Sequence, residues 1–322
     1  MKNTNLKNID SNLWQAITQS EYIQIDYESL LENDPAQIRA KELTLSLKEQ
    51  SLEIPDELHL ETIQIPSSEN KHTISLRTYK PAKKGTLPVL LYFHGGAFIY
   101  GTPEQYDFLF FRLAIDINAV IVSVDYRLAP EDPFPAALED GYDALLWLSE
   151  YAGDIQGDKN NIIIGGSSAG ATIAASLAHM ARDKKQLEIR HQYLLYPAMD
   201  HRLKTQSMQD LANAPMQSKK AAQWMWKHYL PHPITKPPRY AVPLLQDNFK
   251  DLPTATIIVC ELDPLKDEGK KYAAKLQEAG IAVHLLEIKG AVHAFDFFPC
   301  LLSDTFYRQQ VQLYNEILNP GK

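Results

Sequence analysis

The sequence predicts an α/β fold with a mostly parallel central sheet, flanking helices and a helical cap. Short apolar runs recur along the chain, each followed by a segment of helical pattern. These runs are VLLYF, AVIVSV, NIIIG, QYLLY, TATIIVC and VHLLEI. Continuous apolar runs are typical of parallel strands that are buried on both faces, and their alternation with helices indicates βα units.

The region before these runs predicts a helical segment and then a hairpin. Residues 1 to about 55 are polar, and the stretch that follows Pro35 is rich in strong helix formers. The runs at 58–65 and 72–79 alternate apolar and polar residues on either side of the polar segment SSENK. This pattern predicts an antiparallel hairpin at a sheet edge.

A second helical segment is predicted between the fourth and fifth apolar runs. The chain from Asp200 to Pro253 lacks strand signals, and a structureless loop of that length is uncommon inside a domain. Ser218 followed by KKAAQWMWKHYL predicts a capped helix that ends before Pro231. We therefore predict cap segments at 1–55 and 200–247, and a catalytic domain formed by 56–199 and 248–322.

Composition argues against a nucleic-acid-binding, disulfide-rich, secreted or membrane-spanning protein. A formal net charge of −8 argues against a nucleic-acid partner, and two cysteines, Cys260 and Cys300, are too few for a disulfide scaffold. The first twenty residues lack a signal-peptide pattern, and no apolar run is long enough to span a membrane. We expect a cytoplasmic protein without a membrane span.

One segment has the pattern of a nucleophile elbow. In NIIIGGSSAG, a strand directly precedes Gly166-Ser167-Ser168-Ala169-Gly170, and an alanine-rich segment of helical pattern follows. Flanking glycines allow the sharp turn that would project the Ser168 hydroxyl above the sheet, at the N-terminus of a close-packed helix. A chance match to this short pattern is the alternative.

A glycine pair after an earlier strand predicts an oxyanion hole. Acyl transfer develops negative charge on an oxygen, and preorganised backbone N–H groups stabilise that charge. The sequence HGGAF at 94–98 would bring its backbone close to such an oxygen. The predicted donors are the N–H groups of Gly95, Gly96, Ala97 and Ala169, whereas His94 is expected to hold the loop in place.

With these motifs the sequence resembles the hormone-sensitive-lipase-like branch of the α/β hydrolases, the bacterial family IV esterases. The resemblance rests on five blocks that occur in order between residues 90 and 296: HGGAF, DYRLAPEDPFPAALED, GSSAG, DPLKDEG and VHAF. It implies an α/β-hydrolase fold. It also implies that Arg127 and Glu131 brace loops near the site and that a homodimer is possible.

The resemblance further implies that Asp263 is the acid and His293 the base of a Ser-His-Asp triad. Both residues follow predicted strands, where open α/β sheets place functional groups, and the order Ser, Asp, His is the order of this fold. Asp200, Asp267 and Asp296 compete for the role of Asp263. Asp267 is expected to cap a helix that runs from residue 268 toward 280.

Two positions depart from the family pattern, and the pocket prediction stays open. Ala97 replaces the usual third glycine, and Ser167 stands where Asp or Thr is commoner; neither change removes a backbone donor or a triad member. The predicted substrate-pocket residues are Phe98, Trp224, Trp226 and Tyr229. For the cap residues among them, packing in the core is an equal alternative.

These observations predict a serine carboxylesterase that acts on short- to medium-chain esters of small molecules through an acyl-enzyme, without cofactor or metal. A deacetylase, amidase or lactonase with the same triad is an alternative. A non-catalytic ligand-binding protein on this fold is another, although such proteins usually lose the base, and His293 is present.

Overall fold

Eight strands form one sheet in the computed structural model, which describes residues 8–49, 52–68, 70–185, 188–230 and 236–319. Parts of the predicted cap segments, including Pro231, lie outside these ranges. The strands are β1 (Leu58–Pro66), β2 (Thr73–Pro81), β3 (Leu87–Phe93), β4 (Val120–Asp125), β5 (Gly157–Ser167), β6 (His191–Leu195), β7 (Thr254–Cys260) and β8 (Val283–Ile288).

The sheet order is β1-β2-β4-β3-β5-β6-β7-β8. β1 pairs antiparallel with β2, and β2 pairs antiparallel with β4, whereas every other pairing is parallel. The predicted mostly parallel sheet with an edge hairpin is thus confirmed. Because β5, β7 and β8 are parallel, the residues that follow them meet at one edge of the sheet.

Ten α-helices accompany the sheet in the described part of the chain. They are α1 (Ser11–Gln19), α2 (Tyr27–Asn33), α3 (Pro35–Glu49), α4 (Asp107–Ile117), α5 (Ala136–Tyr151), α6 (Ala169–Lys184), α7 (Gln206–Asp210), α8 (Lys219–Tyr229), α9 (Lys266–Glu278) and α10 (Leu301–Leu318). The predicted capped helix is α8, whose first turn is closed by a hydrogen bond from the Ala221 N–H to the Ser218 side chain, 3.0 Å.

Each face of the sheet carries its own apolar core. In β3, Val89 and Leu91 belong to one core, while Leu90 and Tyr92 belong to the other, as expected for alternating side chains. Both cores are built from side chains that are almost completely buried. The residues at the strand ends therefore stand on a rigid support.

Helices of the two predicted cap segments contact each other. The Ser218 hydroxyl, at the start of α8, donates to the Glu28 carboxylate in α2 at 2.6 Å. Lys220 forms an ion pair with Glu32 of α2 at 2.8 Å. α1 is tied to the β8 side of the molecule, because the Asp10 N–H donates to the Gly290 carbonyl at 3.0 Å.

Candidate active site

Ser168 occupies a strained turn between β5 and α6. Its φ of 52° and ψ of −119° lie outside the regions that ordinary residues prefer. The turn needs glycine on both sides. A Cβ at Gly166 would lie 2.4 Å from the Gly170 carbonyl carbon, and a Cβ at Gly170 would lie 2.0 Å from the Phe93 carbonyl oxygen.

The structure brings Ser168, His293 and Asp263 together. The Nε2 of His293 lies 2.8 Å from the Ser168 hydroxyl, and its Nδ1 lies 2.6 Å from a carboxylate oxygen of Asp263. The other Asp263 oxygen accepts the Leu265 N–H at 2.8 Å, and the aspartate is completely buried. This geometry fits an imidazole whose Nδ1–H donates to the carboxylate while Nε2 accepts from the serine.

The competing aspartates have other partners. Asp200 forms an ion pair with Arg202 at 2.7 Å, and Asp296 accepts from the Tyr196 hydroxyl at 2.7 Å. Asp267 lies inside the first turn of α9, so the expectation that it caps this helix is wrong. Its carboxylate instead accepts the N–H of Ser207 at 2.8 Å, in the other predicted cap segment.

Asp296 also has an unusual environment. Burial raises its pKa to about 6, and the Tyr196 hydroxyl that donates to it opposes this rise. The Tyr196 ring packs edge-on against His293 with a centroid distance of 4.8 Å. Asp296 thus holds the Tyr196 ring, which in turn packs against the imidazole of His293.

Three of the four expected oxyanion donors remain available. Ala169 is the first residue of α6, so its N–H has no carbonyl one helical turn earlier. Within the described part of the chain, no acceptor pairs with the N–H of Gly96 or Ala97. Gly96 and Ala97 both line the cavity in which Ser168 and His293 lie.

The expectation for Gly95 is corrected, because its N–H is already occupied. It donates to the Tyr106 hydroxyl at 2.9 Å, and this hydroxyl lies 2.5 Å from the Ser167 hydroxyl. Ser167 is the residue that differs from the usual Asp or Thr of the family. Through the Tyr106 hydroxyl it links the nucleophile elbow to the glycine loop. No local sequence pattern marks Tyr106, which reaches the loop from eleven residues downstream.

His94 is buried and holds the loop, as predicted. Its Nδ1 lies 2.7 Å from the Gly95 carbonyl oxygen, and its ring stacks on Tyr126 at a centroid distance of 4.2 Å. Burial lowers the pKa of His94 to about 4, so the ring is neutral at pH 7. Neutral Nδ1–H can donate to the carbonyl and fix the turn.

A cavity of about 670 Å³ opens above Ser168. Its volume is in the range of small-molecule sites. Its walls are formed by the glycine loop and the residues that follow it up to Phe108, by the turn after His293, and by both predicted cap segments. The cap residues on the wall are Ala16, Gln19, Ser20, Tyr22, Tyr27, Glu42, Leu52, Met216 and Gln217.

The four predicted pocket residues lie elsewhere. Phe98 stacks on Tyr229 with a centroid distance of 3.7 Å, and Trp226 packs against both rings. These three side chains are at most 3% exposed and belong to the core. Trp224 stacks on His228 instead. None of the four lines the cavity, so the packing alternative describes them and the pocket expectation is corrected.

Arg127 and Glu131 brace different loops. Arg127 donates to Asp140 at 3.0 Å and to the Ala136 carbonyl at 3.2 Å. Glu131 forms an ion pair with Arg39 of α3 at 2.5 Å. The sequence did not identify Arg39, because the helical pattern of α3 does not show which loops the helix contacts in the fold.

Arg39 fastens α3 to the loops beside the site. Its guanidinium also donates to the Ile99 carbonyl at 2.7 Å and to the Ala129 carbonyl at 3.0 Å. One turn further along α3, Glu42 reaches the cavity wall. Its carboxylate accepts from the Tyr27 hydroxyl at 2.9 Å and from the Gln105 amide at 3.0 Å.

Among the described residues, no group of three or more His, Cys, Asp or Glu side chains is arranged to hold a metal ion. None of the helices in the described ranges combines the length and apolar character that crossing a bilayer requires.

A mostly parallel sheet, a serine on a strained strand-to-helix turn, and a histidine and aspartate at neighbouring strand ends define an α/β hydrolase. The chain belongs to this family: residues 90–297 match the family described as alpha/beta hydrolase fold. The resemblance inferred from the five sequence blocks is thereby confirmed.

Curated relatives and solved structures agree with this assignment. The chain is 35% identical over 246 residues to the carboxylic ester hydrolase LipN of Mycobacterium tuberculosis, a match that covers 74% of this chain and 65% of LipN. It is 33% identical to an ethyl acetate hydrolase of Pseudomonas putida, over 70% of this chain and 72% of that protein. The structure of a bacterial heroin esterase superimposes with a TM-score of 0.90 at 30% identity, covering 98% of this chain and 100% of the other.

Proposed function

We propose that this protein is a serine carboxylesterase that hydrolyses short- to medium-chain esters of small molecules through an acyl-enzyme. The observation that carries the proposal is the continuous contact from Asp263 through His293 to Ser168 at the floor of the cavity. The names of its relatives support a carboxylic ester as the substrate class.

In the first step, the Ser168 hydroxyl attacks the ester carbonyl while Nε2 of His293 takes its proton. Asp263 holds the imidazole in the required tautomer and stabilises the imidazolium. The carbonyl oxygen becomes an oxyanion, which would accept from the N–H groups of Gly96, Ala97 and Ala169. The intermediate collapses, His293 protonates the departing alcohol, and an acyl group remains on Ser168.

In the second step, His293 removes a proton from water, which attacks the acyl carbonyl. Collapse of this second tetrahedral intermediate releases the carboxylic acid and returns the proton from His293 to Ser168. The cavity volume of about 670 Å³ favours a substrate of small-molecule size, which supports small esters.

Hydrolysis of aryl esters of graded acyl length, from acetyl to lauroyl, tests this proposal. Turnover should peak at short or medium chains and fall for the longest. Ser168→Ala should lower kcat on the order of 10⁶-fold. Equal turnover by Ser168→Ala would refute the role of the serine, and a maximum at lauroyl would refute the expected size.

A matched ester, amide and lactone panel separates the related reactions of the same residues. We expect the ester to be hydrolysed fastest. Faster turnover of the amide or the lactone would assign the site to that reaction class instead.

A further inference from the structure

Glu42 differs from every other charged group on the cavity wall. Among the described residues that line the cavity, three are carboxylates, Glu42, Glu104 and Asp107, and none is a lysine or arginine. Asp107 and Glu104 both pair with Arg77, at 2.6 Å and 3.5 Å. No described basic side chain forms an ion pair with Glu42, so no positive side chain offsets its charge when the carboxyl group is ionised.

Glu42 is held in place by neutral hydrogen-bond donors. The Tyr27 hydroxyl donates to one of its carboxylate oxygens at 2.9 Å, and the Gln105 amide donates to the other at 3.0 Å. The residue is only 6% exposed, although it lines the cavity. Arg39, one helical turn earlier, ties the same helix to the Ile99 carbonyl at 2.7 Å. The carboxyl group therefore has a fixed position beside the glycine loop.

Two tyrosine rings lie on the cavity wall beside this carboxyl group, and the hydroxyl of one, Tyr27, donates to it. Tyr27 and Tyr100 both line the cavity, and their ring centroids are 5.4 Å apart at an interplanar angle of 39°. The negative face of an aromatic ring attracts cations, most strongly where water is excluded. An unneutralised carboxylate beside such rings is the chemistry that binds an ammonium group.

We propose that Glu42 selects esters that carry a positively charged amine group, held between its carboxylate and the rings of Tyr27 and Tyr100. This inference rests on the proposed esterase function and adds a substrate class to it. The formal net charge of −8 favours the approach of such substrates from solution. A carboxyl group that served only to anchor α3 would give no preference for charge.

The pH dependence follows from the groups that face Glu42. Burial raises its pKa to about 7, against the effect of its hydrogen-bond donors. Burial also raises the pKa values of the facing phenols, Tyr27, Tyr100 and Tyr106, so these stay neutral near pH 7. The negative charge at this wall therefore increases from pH 6 to pH 8.

Two pairs of esters test the proposal, each with one charged and one neutral member of equal shape. In the first pair, a p-nitrophenyl ester has an acyl chain that ends in trimethylammonium or in tert-butyl. In the second, acetate is esterified to choline or to 3,3-dimethylbutanol. At pH 8, kcat/KM should favour the charged member of at least one pair by about tenfold, mainly through KM.

Glu42→Gln should bring that ratio to within about twofold of one, because the amide keeps the shape without the charge. Glu150→Gln, an exposed glutamate on α5, is the matched control and should keep the wild-type ratio. A wild-type ratio near one for both pairs would overturn the proposal. An unchanged preference in Glu42→Gln would overturn it as well.

The wild-type protein provides a second measurement, which does not depend on how the variant folds. The ratio for the preferred pair should rise several-fold from pH 6 to pH 8, since the trimethylammonium group does not titrate and any effect of pH on the chemical steps is common to both esters. A flat ratio would contradict the proposal. Absence of turnover on every ester would instead refute the esterase function, and this inference with it.

Discussion

The hydroxyl of Tyr106 accepts the N–H of Gly95 at 2.9 Å and thereby fixes the first peptide of the glycine loop. The same hydroxyl lies 2.5 Å from that of Ser167, directly before Ser168. A single phenol thus connects the two backbone segments that the reaction requires.

Tyr106→Phe should lower kcat about tenfold with a smaller effect on KM, because the loop that carries the proposed oxyanion donors loses its hydrogen bond to Tyr106. It should also lower the free energy of unfolding by about 1–3 kcal/mol, the usual effect of leaving a buried donor without a partner. Steady-state kinetics and urea unfolding measure both effects. Tyr151→Phe, at a residue that is 47% exposed, is the control. An unchanged kcat in Tyr106→Phe would contradict this account.

Asp263→Asn should lower kcat about 10⁴-fold while the protein stays folded, because an amide no longer holds the imidazole in the right tautomer. Asp267→Asn changes a neighbouring carboxylate that contacts the Ser207 N–H instead. Its kcat should stay within about threefold of wild type. If the two variants lost activity to the same extent, the assignment of the acid would be wrong.

Gly170→Ala should destabilise the fold by about 3 kcal/mol or prevent folding, since the new Cβ would lie 2.0 Å from the Phe93 carbonyl oxygen. Gly153→Ala is a matched control, because the Cβ it would add has no non-local heavy atom within 4 Å. Urea unfolding of both variants checks the difference. Equal stability would show that α6 can move away from the sheet.

His191 should make the fold sensitive to acid. Burial lowers its pKa to about 4, from an ordinary value of about 6.5. Between these values the unfolded chain binds a proton that the folded protein does not, so stability contributed by neutral His191 is lost as the pH falls. The unfolding free energy of wild type relative to His191→Gln should fall by up to about 3 kcal/mol from pH 7 to pH 4.

Urea unfolding across this pH range measures the effect. The same substitution at His59, whose side chain is exposed, should leave the pH profile of wild type unchanged. Parallel profiles for wild type and His191→Gln would show that the histidine accepts a proton in the folded state.

Much of the fold could be predicted because parallel strands leave a strong local signal. The runs that became β3 to β7 are apolar and largely buried, whereas the edge strand β8 is partly exposed on both faces, against the expectation for this run. The carboxyl ends of β5, β7 and β8 place Ser168, Asp263 and His293 at one edge of the sheet. The hairpin was equally visible from its alternating pattern. The position of β4 between β2 and β3 could not be predicted, because strand order depends on contacts between segments that are distant in the sequence.

The parts of the site that sequence reasoning missed depend on tertiary contacts. The helical spacing of Trp226 and Tyr229 is the same whether they face a pocket or a core, and only the position of Phe98 decides it. Glu42 lies in a polar helix where an exposed carboxylate is the ordinary expectation. Its burial follows from the way Arg39 fastens α3 to the loops below.

The most direct test of the central claim is covalent labelling of the nucleophile. Diisopropyl fluorophosphate should add one phosphoryl group per chain, on Ser168 by peptide mass spectrometry, and esterase activity should fall in proportion to the label. A label on Ser167 or any other residue, or full activity in protein whose Ser168 is labelled, would contradict the account.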